Sequence, residues 1–171
     1  MHVTRDAARA DLAEIREIYA HWVNTGLSSF EEIAPDVDEI EKRWQQVVDD
    51  GLPYLVVEID NRVAGYAHAQ PYKPRSAYRY TVEDSVYVHP KFHRHGVGRS
   101  LLAAVIEICG SMGYRQMVAI IGDGGNNPSI DLHVACGFSY VGTLEDVGWK
   151  FGRSVDTVIM QLALGGDDVS R

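Results

Sequence analysis

The sequence predicts an α/β (α+β) domain, a mixed sheet flanked by helices, on three observations. Helical-period segments and segments rich in β-branched and aromatic residues follow one another in the order α, α, β, β, β, α, β, α, β, β. No internal repeat breaks that order, and no linker is long enough to divide it. The 171 residues, 46% apolar and 23% charged, suit about one globular domain. Residues 1–164 are therefore read as a single domain and 165–171 as a frayed tail.

The first helix spans 11–25, with Leu12, Ile15, Ile18, Tyr19 and Trp22 on one face and Gly26 as its stop. The second spans 36–50: it follows Pro35, opens with acidic residues, repeats Ile40, Trp44, Val47 and Val48 at helical spacing, and stops at Gly51. The period then changes. Residues 54–59 and 63–68, around the Asp60-Asn61 turn, read as a strand hairpin. A long strand is expected over 78–89, ended by Pro90. Gly96-Val97-Gly98 leads into a helix over 99–112 with a wide apolar face from Leu101 to Met112. Residues 116–121 read as a buried strand. Asn127 as N-cap and Pro128 at the first helical position open a short helix over 128–136. Strands over 138–144 and 156–162, joined by a loop containing Lys150 to Arg153, complete the domain.

Charge narrows the function classes. Sixteen basic against twenty-four acidic residues give a net charge of −8, which disfavours nucleic acid and anionic membranes and favours a small soluble ligand. No apolar run approaches the roughly 18 residues of a membrane helix. The N-terminal residues lack the pattern of a secretory signal, so a cytoplasmic location is expected, with Cys109 and Cys136 as reduced core thiols. A Cys136–His133 nucleophile is conceivable from the spacing, which helices also produce by chance.

The most informative stretch runs from Val86 to Leu102: a strand, a basic turn and a glycine-opened helix. Glycines admit close backbone approach, and unpaired N–H groups at a helix N-terminus favour phosphate oxygens. Lys91, Arg94 and Arg99 add local positive charge, although a merely basic surface loop has the same composition. Gly96-Val-Gly-Arg-Ser-Leu101 lacks the third glycine of a dinucleotide fingerprint, and no Gly-Lys-Ser or Gly-Lys-Thr is present, which disfavours NAD and ATP.

Residues Arg94 to Arg99 resemble the acetyl-CoA pyrophosphate loop of the GNAT acetyltransferase superfamily, with His93 standing where that loop has Gln or Arg. Tyr78 to Val88 resembles the strand of phosphinothricin and methionine-sulfone N-acetyltransferases. Glu83, Ser85 and Val86-Tyr87-Val88 are retained, and Asp84 replaces the usual His. Ser29-Phe30, Lys73-Pro74, Asn126, Leu132-His133, Gly137-Phe138 and Val147 to Arg153 extend the likeness over nearly the whole chain. The resemblance implies a GNAT fold, a mostly antiparallel central sheet splayed at its central strands. It also implies acetyl-CoA as co-substrate and an acetyl transfer to the α-amino group of a small amino acid analogue, directly and within a ternary complex.

Amine acetylation needs a base, and Glu83 on the central strand is the candidate; an outward ion pair with Arg79 is the plainer reading. The resemblance implies that Val86, Tyr87 and Val88 bind the co-substrate through their backbone, with the Val88 N–H polarising the thioester carbonyl. It further implies cofactor contacts from Arg94, His95, Gly96, Val97, Gly98, Arg99, Asn126 and Ala135. His133 falls where many such enzymes place a Tyr that protonates the departing thiolate; a packed, partly buried histidine is the alternative. The acceptor needs a cation for its carboxylate and an apolar wall. Lys73, Arg75 and Arg79 are candidate cations and Phe30 and Tyr80 candidate walls, with Glu83, Ser85 and Asn126 completing the substrate set.

No metal is expected. The 122–127 loop lacks EF-hand spacing, and His89, His93 and His95, the one histidine cluster with zinc-like density, fall on the proposed cofactor turn. A homodimer in which Trp149 to Arg153 helps build the partner's pocket is implied by the family. Acetylation of a polyamine or a protein N-terminus, or non-catalytic acyl-CoA sensing, remain the rival functions.

Overall fold

A computed structural model of the chain describes residues 3–165 apart from 124 and 126. Seven strands form one sheet: β1 (Val3–Asp6), β2 (Tyr54–Ile59), β3 (Arg62–Pro71), β4 (Thr81–Val88), β5 (Gln116–Asp123), β6 (Ser139–Lys150) and β7 (Arg153–Ala163). Four helices accompany them: α1 (Leu12–Thr25), α2 (Val37–Asp49), α3 (Val97–Ser111) and α4 (Pro128–Ala135). The strand order is β1-β2-β3-β4-β5-β7-β6, and every neighbouring pair is antiparallel except β4 with β5. Such a mixed, mostly antiparallel sheet is the expected class.

The sheet is splayed where the sequence reading expected it. Parallel pairing of β4 with β5 covers only Thr81–Gln116, Val82–Met117 and Glu83–Val118, after which the two strands separate. On its other edge β4 stays paired with β3 from Pro71–Val82 to Gly65–Val88. The cleft therefore opens on one side of a strand held firmly on the other.

Helix α3 packs on one face of the sheet. A Cβ on Gly65 of β3 would lie 2.8 Å from Val97 Cγ1 and 3.2 Å from Leu101 Cδ1. Helices α1 and α2 cover the other face. Asp36 caps α2, its carboxylate accepting from the Glu39 N–H. The core joins Leu12, Ile15 and Ile18 of α1 with Val56, Val57, Val82, Leu101, Met117 and Met160.

Several elements differ from the sequence reading. β1 was not anticipated, because a four-residue, mostly exposed edge strand has no apolar alternation to read. β4 starts at Thr81 rather than at 78, because Ser76–Tyr78 forms a 3-10 turn. α3 starts at Val97, with Gly96 capping it in the left-handed region at φ 77°. The loop expected between the last two strands is a tight hairpin: Phe151 and Gly152 both adopt positive φ, 54° and 74°, as a two-residue primed turn requires. Irregularities at Tyr140/Gly142 and Leu144/Gly148 break the two-residue period that would have revealed β6. Of the expected tail, 166–171 lie outside the described residues.

Candidate active site

The expected cofactor turn follows β4 after a 3-10 turn over Pro90–Phe92. Arg94 and Gly96 both take positive φ, 63° and 77°, and α3 opens behind them. Its first intrahelical bond runs from the Ser100 N–H to the Gly96 carbonyl, so the N–H groups of Val97, Gly98 and Arg99 have no intrahelical acceptor. Gly98 faces inward: a Cβ there would meet Leu132 Cδ2 at 3.1 Å and Val88 Cγ2 at 3.4 Å, so glycine lets α3 sit against α4 and β4. Arg94, His95 and Arg99 are exposed around this helix end, and Ala135 is exposed on α4. Turn geometry, unsatisfied donors and basic rim together fit a phosphate-bearing ligand.

His93, the departure from the loop pattern, stacks on Trp22 with ring centroids 5.4 Å apart and planes 2° from parallel. The Trp22 indole N–H in turn donates to the Val88 carbonyl at 2.9 Å. The three clustered histidines are directed apart: His89 Nδ1 accepts from the Lys91 N–H and His95 Nδ1 lies 2.9 Å from the His93 carbonyl. Among the described residues no group of three His, Cys, Asp or Glu could hold a metal.

Backbone polarity within the splay follows from register. The His89 N–H donates to the Ala64 carbonyl at 2.9 Å, so by alternation the Val88 and Val86 N–H groups point away from β3, toward the side from which β5 has departed. Side chains alternate likewise. Glu83, Ser85 and Tyr87 share the face covered by α1 and α2, while Asp84, Val86 and Val88 share the α3 face. A small cavity of about 50 Å³ lies in the splay, lined by Ser28, Asp84, Ser85, Ile121, Ser129 and His133 among others.

Glu83 is half-buried beside Gln70, its partner across the β3–β4 ladder. Burial and the neighbouring Asp84 push its pKa up to about 7, against the pull of a hydrogen bond with Gln70. The ion pair with Arg79 does not form: Arg79 donates to the Ser76 carbonyl and stacks over Tyr80. On the same face lies a cavity of about 710 Å³ walled by Tyr19, Tyr54, Tyr66, His68 and Tyr87, with Ser85 and Gln70 in its lining and Arg43 and Lys42 of α2 at its side. Burial pushes His68 down to about 4, and its Nδ1 has no hydrogen-bond partner.

His133 is 3% exposed, and both of its nitrogens are engaged. Nδ1 lies 2.6 Å from the Ser129 carbonyl and Nε2 2.9 Å from Asp84 Oδ2. Burial disfavours its charge, but Asp84 and the Ser129 carbonyl outweigh burial and raise its pKa.

The expected acceptor set is brought together only in part. Phe30 lies over the sheet end between two glycines: a Cβ on Gly122 would sit 2.6 Å from its ring and one on Gly148 2.5 Å. Lys73, Arg75, Arg79 and Tyr80 are all exposed on the strap between β3 and β4, and none lines the larger cavity. The 3-10 turn carries that strap outward, where Lys73 lies over Tyr72 and Arg79 and Arg115 flank Tyr80 at 4.9 and 4.8 Å. Asn126 lies outside the described residues. Neighbouring Asn127 caps α4 through the Ser129 N–H and donates to the Gly122 carbonyl. Cys109 and Cys136 are free thiols, with Cys109 pushed up to about 12 by burial, a poor nucleophile.

Three contributors were missed. Lys150, expected in a loop of the segment that the family likeness assigns to the partner's pocket, is 1% exposed and donates to the Ser29 carbonyl at 2.6 Å, pinning the α1–α2 connection; burial lowers its pKa, with Glu32 and Glu31 pulling the other way. Arg43 was hidden by its ordinary helix pairing with Glu39, although it also holds Glu31 at 2.7 Å. His68 was legible: Tyr66, His68 and Gln70 are spaced to share one strand face.

A strand pair opening beside a glycine-capped helix, with a half-buried carboxylate at the fork, fits the class of N-acyltransferases. The chain belongs to the acetyltransferase (GNAT) family, whose model matches residues 14–138. It is 52% identical to the phosphinothricin N-acetyltransferase of Alcaligenes faecalis over 94% of this chain and 81% of that protein. It is 39% identical to the L-methionine sulfoximine/L-methionine sulfone acetyltransferase of Salmonella typhimurium, covering 94% of this chain and 93% of that one. The crystal structure of a GNAT superfamily phosphinothricin acetyltransferase from Sinorhizobium meliloti, in complex with AcCoA, superposes with a TM-score of 0.94. That protein is 40% identical, over 99% of this chain and 92% of the other.

Proposed function

We propose that this acetyltransferase moves acetyl from acetyl-CoA to the α-amino group of a small amino acid analogue of the phosphinothricin, methionine sulfoximine and methionine sulfone kind, directly and within a ternary complex. The observation that carries this reading is Glu83. It sits at the fork of the splay on the face of the large cavity, with a pKa of about 7 suited to taking a proton from an α-amine. The named activities of the relatives supply the acceptor class.

In this reading the N–H groups of Val97, Gly98 and Arg99 hold the pyrophosphate, with Arg94, His95 and Gly96 around it and Ala135 alongside. Bound acetyl-CoA supplies an acetyl thioester. The backbone of Val86, Tyr87 and Val88 aligns it, and the Val88 N–H stabilises charge developing on the carbonyl oxygen. As the nitrogen–carbon bond forms, the carbon–sulfur bond breaks with its electron pair on sulfur, and Glu83 takes the amine proton. Phe30 and Ser85 border the acceptor, and a cation among Lys73, Arg75 and Arg79, on the strap that follows the cavity residue Pro71 in sequence, meets its carboxylate. The chain works as a homodimer through β6, an edge strand whose Leu144, Val147 and Trp149 are exposed together with Phe151 of the hairpin turn.

Thiol release from acetyl-CoA, measured with methionine sulfone, methionine sulfoximine, phosphinothricin, spermidine and a short peptide, tests the reading. Turnover of one of the first three that collapses in Glu83→Gln supports it. Turnover of spermidine or peptide alone moves the acceptor class, and binding of acetyl-CoA without thiol release with any of the five favours a sensor or an acceptor outside this panel.

A further inference from the structure

Asp84 and Glu83 are consecutive on β4 and so project to opposite faces of the sheet. Asp84 is 6% exposed, and its Oδ2 meets His133 Nε2 at 2.9 Å, while its Oδ1 has no partner. His133 belongs to α4, which follows β5. The Asp84–His133 bond therefore reaches from β4 across the opening to the helix that trails the departed strand, and both residues line the splay cavity.

One of the two protons on this pair has a fixed place. A carbonyl accepts and never donates, so the 2.6 Å contact with Ser129 fixes a proton on His133 Nδ1. Nε2 then either donates to an ionised Asp84 or accepts from a protonated one, and in both cases the single shared proton lies between two buried groups. No imidazole N–H is left to point into the cleft.

We propose that Asp84 is a positioning residue of the acetyltransferase, tying α4 to β4 through His133 across the splay and holding the imidazole as a strut rather than leaving it as an acid. The proposal rests on the reading above in taking the splay as the acetyl-CoA site. A Cβ on Gly98 would already touch both Leu132 of α4 and Val88 of β4, so a shift of α4 moves the floor under the pyrophosphate turn. The same carboxylate adds to the upward push on Glu83. Among the described residues, the other titratable groups within its influence are Cys109 of α3 and Cys136 beyond α4; Glu83 itself is faced by Gln70 of β3.

The test compares Asp84→Ala, Asp84→Asn and His133→Gln with the parent enzyme, reading kcat and KM for acetyl-CoA against pH together with the thermal midpoint. The Asn amide can donate to Nε2 while Nδ1–H keeps Ser129, so Asp84→Asn retains the strut without the carboxylate. Asp84→Ala leaves His133 Nε2 unpaired and is expected to raise KM for acetyl-CoA about tenfold or more. Asp84→Asn is expected to restore that KM to within about threefold. It should leave the alkaline side of the kcat profile in place and shift the acid side to lower pH. The proposal is overturned if Asp84→Asn lowers kcat as far as His133→Gln does and moves the alkaline side, the signature of a working acid tuned by its partner. It is equally overturned if Asp84→Ala folds and keeps the parent KM. Failure of the Glu83 reading shows separately, as a Glu83→Gln enzyme that retains its acid side, and leaves the Asp84 comparison of KM intact.

Discussion

The indole of Trp22 donates to the carbonyl of Val88 at 2.9 Å, and the same ring stacks on His93. One side chain of α1 therefore satisfies the carbonyl at the end of β4 and braces the turn that opens α3. Trp22→Phe retains a ring for His93 but leaves that carbonyl without its donor. The expected outcome is a rise of about 3–10-fold in KM for acetyl-CoA, from a loss of about 1 kcal/mol, with KM for the acceptor unchanged. Steady-state titration of each substrate at saturating levels of the other checks it, and equal effects on both would show that the brace does not act on the cofactor turn.

Glu83 predicts opposite pH trends for activity and stability. Its pKa of about 7 means that the carboxylate needed to accept a proton is lost as pH falls through 7, so kcat/KM should decline on that acid side. Glu83→Gln should cost about 10²–10⁴ in kcat and abolish the titration. For folding, the pKa is higher in the native state than the ordinary 4.5, so the native state binds this proton more tightly, and ionisation between 4.5 and 7 costs stability. The Gln variant should therefore be more stable than the parent at pH 8, by about 1–3 kcal/mol, and lose that advantage toward pH 5. Denaturant melts at the two pH values decide; an advantage that does not change with pH would remove the buried-carboxylate argument.

Phe30 predicts a rescue. The three atoms nearest to a Cβ on Gly148 all belong to its ring, the nearest at 2.5 Å, whereas a Cβ on Gly122 would also run into the Leu27 backbone carbonyl. A side-chain obstacle can be deleted and a backbone obstacle cannot. Gly148→Ala and Gly122→Ala should each destabilise by about 2 kcal/mol or more. Adding Phe30→Ala should recover much of the first loss and little of the second. A double-mutant cycle in thermal midpoint measures the difference, and equal recovery in both would contradict the packing described.

How much of this was legible follows from what each residue depends on. The helices and the β2–β3 hairpin could be read because period and stop signals are local, and the glycine turn could be read because Gly96 needs only its own backbone. The family pattern located Glu83 but could not show that Asp84 would meet His133, because that contact spans 49 residues and depends on where β5 leaves β4. Lys150 looked like a loop cation because nothing near it in sequence reveals that the Ser29 carbonyl waits 121 residues away. The cations of the 73–79 strap were candidates because the acceptor class implied by the family likeness needs one, and the 3-10 turn that carries them outward left no signal beyond Pro74 and Ser76.

Trp149 carries the last prediction, which concerns assembly. It is 67% exposed on β6, the terminal strand of the sheet, with Val147 at 58% two residues before it and Phe151 at 56% two after. The exposed apolar side chains near the end of this edge strand would invite indiscriminate pairing unless a specific surface covered them, and in the homodimer proposed above a second copy of the chain would supply a self-complementary one. The neighbouring Lys150 and Ser29 lie on the path from this strand to the α1–α2 connection that carries Phe30, so covering β6 would also steady one wall of the acceptor site. Trp149→Glu should therefore move the sedimentation profile from dimer to monomer and raise KM for the amine acceptor while leaving KM for acetyl-CoA within about twofold. A parent protein that sediments as a monomer at micromolar concentration would defeat this assignment, and an acceptor KM unchanged in a monomeric variant would separate assembly from the site.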